Sequence, residues 1–461
     1  MKKIPLILLF LFSINKFATA QTWQDTVRII DQLFERYAPE NPGCQIAISK
    51  NGQICYSRVF GMADLDKHTK LSTSSLIEAG SVSKQFTAAA ILLLEQQGKL
   101  SLDDDIHKHL PELPDYGIKI SLRQMVHHTS GLKDCWALLS LSDWPRGSKV
   151  YNNQQILDLM AHQRSLNHAP EEEFLYSNSN YILLAIIVER LSAKSLAQFT
   201  EEYIFKPAGM THSRWRTNSK QIIPGRAMAY ANVNGKYVID MPNEEVYGNG
   251  GLLTTAEDLN RWNLFYSHNL LGRPGLLQKQ LDTIALNNGS PNPYAAGIRL
   301  VTLLGHRVWI HDGATAAYRA SLEFYPDQDL SIAWLANTSS YDDKPDELSE
   351  LRKLLLTGER PDLPQSKPGT DADHLKLELY TGNYHSDEVD GNLKVLLNEA
   401  QLEIHRAKDQ KFKLAAGAGE DFFQIVDSKV TVHFLRNAKG KITGLHFNTP
   451  RVRKVLFEKL K

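Results

Sequence analysis

The chain reads as an α/β layered domain followed by a small antiparallel β barrel. Strand patterns stand at 44–60 and again at 297–336, with helical patterns between them. Such spacing predicts one sheet assembled from distant segments and flanked by helices. Beyond residue 373, short alternating runs replace helices altogether, as barrel strands do.

The elements follow in order. Lys2 and Lys3 precede an apolar run over 4–14, and Ala18-Thr19-Ala20 forms a small-residue cleavage site. Residues 1–20 are therefore expected to be a signal peptide, and the mature protein to be periplasmic or secreted. The run is too short to span a bilayer, which takes about 20 apolar residues. An amphipathic helix is expected over 22–38, then strands over 44–48 and 54–60 around the turn Asn51-Gly52. A two-residue turn there sets Lys50 opposite Gln53, Cys55 opposite Ile48 and Cys44 opposite Val59. Cys44, Cys55 and Cys135 are then expected to be buried free thiols. Helices follow over 85–97, 155–163 and 181–191. Strands return over 297–303, 307–310, 319–325 and 330–336.

The domain reaches from 21 to 357. A linker over 358–373, rich in Pro and Gly, cannot hold a helix. The barrel is expected over 374–461, with Leu393, Val395, Leu397, Leu402, Ile404, Phe412, Leu414, Val430, Val432, Phe434, Leu445 and Phe447 facing inward.

Lys plus Arg and Asp plus Glu each number 52 in 461 residues, for a net charge of zero. Without basic blocks, this argues against a nucleic-acid partner. No cofactor is expected. No metal is expected either: adjacent His127 and His128 point apart, and no third ligand stands nearby in sequence.

Ser81-Val82-Ser83-Lys84 carries the chemistry. Residues at i and i+3 share a helix face, so the lysine amine can lie beside the serine oxygen. A serine hydroxyl attacks poorly unless a neighbour takes its proton, and a lysine in a dry site can be made basic enough to do so. The same spacing occurs at Ser13–Lys16 and Ser130–Lys133. The first lies in the signal segment and the second wraps a Ser-Gly turn. Only Ser81 opens a helical run, with Phe86, Ala89, Ala90, Leu93 and Leu94 at core spacing.

Two further segments complete a candidate site. Tyr176-Ser177-Asn178 precedes the helix at 181–191. A tyrosine near a lysine ammonium has its phenolate favoured and can relay a proton, while an asparagine amide can bind a substrate carbonyl or orient the lysine. His311-Asp312-Gly313 follows the strand at 307–310 and leads into Ala314. Small residues there let a substrate backbone approach. The N–H groups of Ala314 and Ser81 together would form an oxyanion hole.

Together these segments resemble the serine β-lactamase and penicillin-binding-protein superfamily, in its class C-like branch. Pro42–Ile48, Ser121–Leu132 with its His-Thr-Ser-Gly-Leu run, Phe205–Met210 and Gly250–Leu259 are similar to further landmarks of that family, in one order. The resemblance implies a β-lactamase/transpeptidase-like mixed sheet flanked by helices, an all-helical region and a lipocalin-like barrel. It implies Ser81 as the acylated nucleophile, Lys84 as its activating partner and Tyr176 as a shared acid and base. Asn178, His311, Gly313 and Ala314 would bind substrate. Class C β-lactamases and many D,D-peptidases carry a lysine where His311 stands, and a neutral histidine attracts a carboxylate less strongly. The expected function is a serine hydrolase acting on D-amino-acid peptides. Alternatives are a promiscuous esterase or weak β-lactamase, a non-catalytic β-lactam or cell-wall sensor, and a barrel that binds a small ligand of its own.

Overall fold

The structure is a computed structural model that describes residues 23–37, 39–268, 275–342, 347–359, 377–398, 401–406, 410–416, 421–437 and 440–460. The expected signal peptide lies outside them, as does the expected linker apart from Gly358 and Glu359. The chain forms two compact units, Met1–Arg36 with Asp346–Leu363, and Tyr37–Pro345 with Pro364–Lys461. In the first, helices α1 (Trp23–Leu33) and α5 (Glu347–Thr357) pack on each other.

The second unit is built on a six-stranded sheet that joins the chain's early and late strands, as expected. Its strands are β1 (Cys44–Lys50), β2 (Gln53–Phe60), β3 (Arg299–Leu303), β4 (His306–Thr315), β5 (Tyr318–Tyr325) and β6 (Leu330–Ala336), in the order β3-β4-β5-β6-β1-β2. Every neighbouring pair is antiparallel. β1 is buried along nearly its whole length, as a central strand covered on both faces must be.

The first hairpin departs from the expected register. Lys50 does pair with Gln53, but a bulge between Ile48 and Ser49 sets Ile48 opposite Tyr56 and Cys44 opposite Phe60. One extra residue on one strand does this, shifting all later partners by one. Cys55 is that residue. It is exposed, contrary to expectation, while Cys44 and Cys135 are buried, and all three are free. The strand expected at 307–310 also runs on to Thr315, so His311-Asp312-Gly313 lies within β4 rather than after it.

Helix α2 (Lys84–Gln96) is buried from Lys84 to Leu94, and α3 (Asn178–Ser192) from Asn178 to Val188. Helices apolar on all sides belong in a protein's middle, and these two pack on each other there. Helix α4 (Ala256–Ser267) covers β1 and β6.

The C-terminal segment is a closed antiparallel barrel of eight strands in sequence order, from Gly382–Ser386 to Val452–Lys459. Of the residues expected to face inward, only Leu397, Phe412 and Val430 are not fully buried. Tyr380 packs edge-on against Phe423 and tilted against Phe434, with ring centres 4.8 and 4.7 Å away.

Polar contacts bind the barrel to the body of the same unit. Asn392 donates from its backbone and its side chain to the Asp143 carboxylate, at 3.0 and 2.7 Å. Lys133 and Glu388 form an ion pair at 3.0 Å with side chains 0% and 5% exposed. Lys133 is the lysine of the second Ser-x-x-Lys match, whose Ser130 donates instead to Asn180 Oδ1 at 2.8 Å.

Candidate active site

Residues Gly80–Ser83 form a 3₁₀ turn that runs directly into α2. In a 3₁₀ turn, side chains at i and i+3 eclipse each other. Lys84 Nζ consequently stands 3.1 Å from Ser81 Oγ. Ser81 is partly exposed, whereas Lys84 is fully buried.

The lysine nitrogen has two other partners, Asn178 Oδ1 at 3.0 Å and the Asn249 carbonyl at 2.7 Å. Both can only accept. A neutral amine has two hydrogens, and spending them on these oxygens leaves its lone pair facing the Ser81 hydroxyl. Burial pulls the Lys84 amine well below an ordinary lysine. The Asp134 carboxylate opposes that shift and the Arg451 guanidinium adds to it.

Asp134 fixes the asparagine. Its Oδ2 accepts from both the backbone N–H and the side-chain amide of Asn178, each at 2.7 Å. That contact turns Asn178 Oδ1 toward Lys84 and leaves one amide hydrogen uncommitted to Asp134. Asn178 therefore orients the lysine first, and its capacity to donate to a substrate is correspondingly narrow. Ser177 and Ser179, on either side, both donate to the Lys133 carbonyl, at 3.2 and 2.7 Å.

Tyr176 lies at the junction. Lys84 Nζ is 4.9 Å from its ring centre, and His128 packs on the ring at 4.3 Å. Burial raises the phenol, with only partial opposition from a hydrogen bond to the Ser81 side chain and from the Arg451 charge. This reverses the expected phenolate: the tyrosine holds its proton.

Strand β4 closes the other side of the turn. A Cβ built on Gly313 would stand 2.1 Å from the Ala79 carbonyl oxygen and 3.1 Å from Ser81 N, and one on Gly80 would stand 2.7 Å from Ala314 N. Only glycines allow the strand and turn to approach this closely, which brings the backbone of Gly80 and Ser81 against that of Gly313 and Ala314. His311 is 4% exposed. Its Nδ1 lies 2.7 Å from the Asp312 carbonyl and so must donate, which leaves Nε2 to accept from the Tyr294 hydroxyl at 2.9 Å. Burial, reinforced by the Lys84 charge, holds its pKa down at about 3. His311 is a neutral packing residue whose nitrogens are both taken.

The structure thus gathers Ser81, Lys84, Tyr176, Asn178, Gly313 and Ala314 around one turn, with His311 beneath it. Asp134, Asn249 and Tyr294 join them without a signal in sequence, His128, weighed there only as a metal ligand, packs on the Tyr176 ring, and Arg451 arrives from the barrel. Among the described residues, no group of three or more His, Cys, Asp or Glu side chains is arranged to hold a metal. No described helix is long and apolar enough to cross a membrane.

Residues 30–357 match the Beta-lactamase family. The chain belongs to that family. It is a serine hydrolase of the β-lactamase and penicillin-binding-protein superfamily. Penicillin-binding protein 4* of Bacillus subtilis (strain 168) is 29% identical over 360 residues, covering 74% of this chain and 78% of that protein. Protein flp of Staphylococcus aureus (strain N315) is 29% identical over 328 residues, 68% of this chain and 64% of that protein. Among solved structures, the octameric penicillin-binding protein homologue from Pyrococcus abyssi superimposes with a TM-score of 0.63 at 21% identity, covering 94% of this chain and 99% of its own. That overlap includes the barrel. A D-stereospecific amidohydrolase from Streptomyces sp. gives 0.60 at 21% identity, over 72% of this chain and 99% of its own.

Proposed function

We propose that this serine hydrolase cleaves amide bonds of peptides containing D-amino acids, outside the cytoplasm, through an acyl-enzyme on Ser81. The observation that carries the reading is the Lys84 amine, buried and 3.1 Å from the Ser81 hydroxyl with its other two partners fixed as acceptors.

In the first step, Ser81 Oγ bonds to the substrate carbonyl carbon and its proton passes to Lys84 Nζ. The N–H groups of Ser81 and Ala314 receive the developing oxyanion. Collapse breaks the C–N bond, and the leaving amine takes a proton from Lys84 directly or through the Tyr176 hydroxyl. Water then attacks the ester, its proton returning along the same path, and releases the acid. Asn178 keeps Lys84 in line and offers its remaining hydrogen to the substrate. The preference for D-residues draws on the D-stereospecific amidohydrolase among the structural neighbours.

Intact-protein mass spectrometry with a D-alanyl peptide and with p-nitrophenyl acetate tests this. Wild type is expected to show a transient adduct on the peptide bearing Ser81 and to turn over both compounds. Ser81→Ala is expected to show neither. Turnover by Ser81→Ala at the wild-type rate would sink the reading.

A further inference from the structure

The last two strands of the barrel, Ile442–Thr449 and Val452–Lys459, are joined by Pro450-Arg451, and this tip reaches the catalytic body. The Arg451 carbonyl accepts from Asn167 Nδ2 at 3.0 Å and from the backbone N–H of Asp134 at 3.4 Å. Two residues on, Arg453 N donates to Asn167 Oδ1 at 2.7 Å, and the Arg453 guanidinium pairs with Glu173 at 3.1 Å. The Arg451 N–H itself turns back onto Thr449 Oγ1 at 3.3 Å. The backbone of the tip is therefore held on both sides of Arg451.

Its side chain is exposed, and its guanidinium carbon lies 4.9 Å from the centre of the Tyr176 ring, the same distance as Lys84 Nζ. Among the described residues, no carboxylate or carbonyl takes any of its hydrogens. An arginine held over an aromatic face by its carbon can keep the donors at the edge of its planar fork free, in a geometry that suits a carboxylate. Meanwhile His311 is buried and has both nitrogens occupied, so it offers a substrate no charge. Arg146, whose charge also reaches Lys84, is already bound by Glu244 through two bonds of 2.7 Å. A permanent cation over the Tyr176 ring thus comes from the barrel.

We propose that Arg451 is the anion-binding residue of this active site, and that the substrate carries a free carboxylate near the bond attacked, as a peptide with an unblocked C-terminus does. The proposal rests on Ser81 being the nucleophile. It makes the barrel part of the substrate site rather than a separate ligand binder.

The test is a ratio. kcat/KM is measured for a D-alanyl peptide with a free C-terminus and for the same peptide as its C-terminal amide, on wild type, Arg451→Gln, Arg451→Lys and Arg299→Gln. Hydrogen bonds to charged groups lead us to expect a wild-type preference for the free acid of about 10- to 100-fold. Arg451→Gln should bring the ratio near one, and Arg451→Lys should keep part of it. Arg299 is exposed and its charge reaches His311, so Arg299→Gln controls for long-range field alone and should retain the ratio. Because both peptides react at Ser81, any common loss of chemistry cancels. Should Arg451→Gln fold poorly, the wild-type ratio in rising salt decides, since an ion pair made by an exposed arginine weakens as salt screens it. A wild type indifferent to the carboxylate, a ratio that survives in Arg451→Gln, or one that ignores salt would overturn the assignment. If Ser81→Ala remains active, the parent reading falls instead. If Ser81 is acylated yet the ratio is unmoved, Arg451 alone loses its role.

Discussion

Lys84 shows how one residue's surroundings set its chemistry. Only the neutral amine can accept the serine proton, and its folded pKa lies below the ordinary lysine value of 10.5. Deprotonation as pH rises therefore switches activity on. kcat/KM for a neutral ester is expected to climb with pH along a limb whose midpoint lies well below 10.5. Lys84→Arg keeps the charge but cannot give it up, and a general base typically contributes about 10²- to 10⁴-fold. A pH profile of both proteins checks this: the variant should lose that factor and the limb with it. A Lys84→Arg enzyme with the wild-type profile would remove Lys84 from the proton path. Ser81 and Lys84 were legible in sequence because a single turn joins them, and Tyr176 and Asn178 because they sit together at a helix start. Asp134 and the Asn249 carbonyl were not. They act on Lys84 across 50 and 165 positions of chain, where spacing carries no signal. The tyrosine's protonation was misjudged because burial, which sequence does not display, outweighs its charged neighbours.

Among the elements, the close approach of β4 to the Ser81 turn matters most. Two glycines set that distance, so a single methyl group should open it. Gly313→Ala would place a carbon 2.1 Å from the Ala79 carbonyl oxygen, and the strand must move. Overpacking of this kind costs about 1–3 kcal/mol, and here it also separates the two N–H groups that would hold the oxyanion. We expect a lower melting temperature and a fall in kcat larger than any rise in KM. An unchanged kcat would mean that Ala314 N–H does not face the reacting oxygen. The strands and central helices were readable from apolar runs. Their ends were less so, because β4 continues through His311-Asp312-Gly313, residues without strand preference that are held by pairing with Leu322, Ser321 and Ala320.

At the scale of the whole molecule, the barrel and the hydrolase body meet through charges out of reach of solvent. Glu388 accepts from Lys133 and also from the Leu456 backbone, while the Lys133 carbonyl holds Ser177 and Ser179 beside Asn178. Removing one partner of a buried pair strands the other, at about 3–5 kcal/mol, whereas replacing both with apolar residues is often neutral. Glu388→Leu alone should therefore destabilise the protein strongly, and Lys133→Met with Glu388→Leu should recover most of that loss in denaturant melts. Equal melts for the single and double variants would show that the pair carries no such penalty. The barrel's alternation announced its own fold clearly. Nothing in it announced Glu388 or Arg451, since a charge on a turn reads as ordinary surface until the partner surface is known.

The hydrogen-bonded path from Arg451 through Asp134 and Asn178 to Lys84 has a consequence for the order in which this enzyme comes to life. During synthesis, Ser81 and Lys84 leave the ribosome about 300 residues ahead of Glu388 and about 370 ahead of Arg451. At about 5–20 residues per second that gap lasts roughly 15 to 75 seconds. Throughout it, the nascent chain carries Ser81 and Lys84 but neither the buried counter-charge for Lys133 nor the barrel's arginine. The carboxylate preference proposed for Arg451 can thus arise only once the chain's final strands are made.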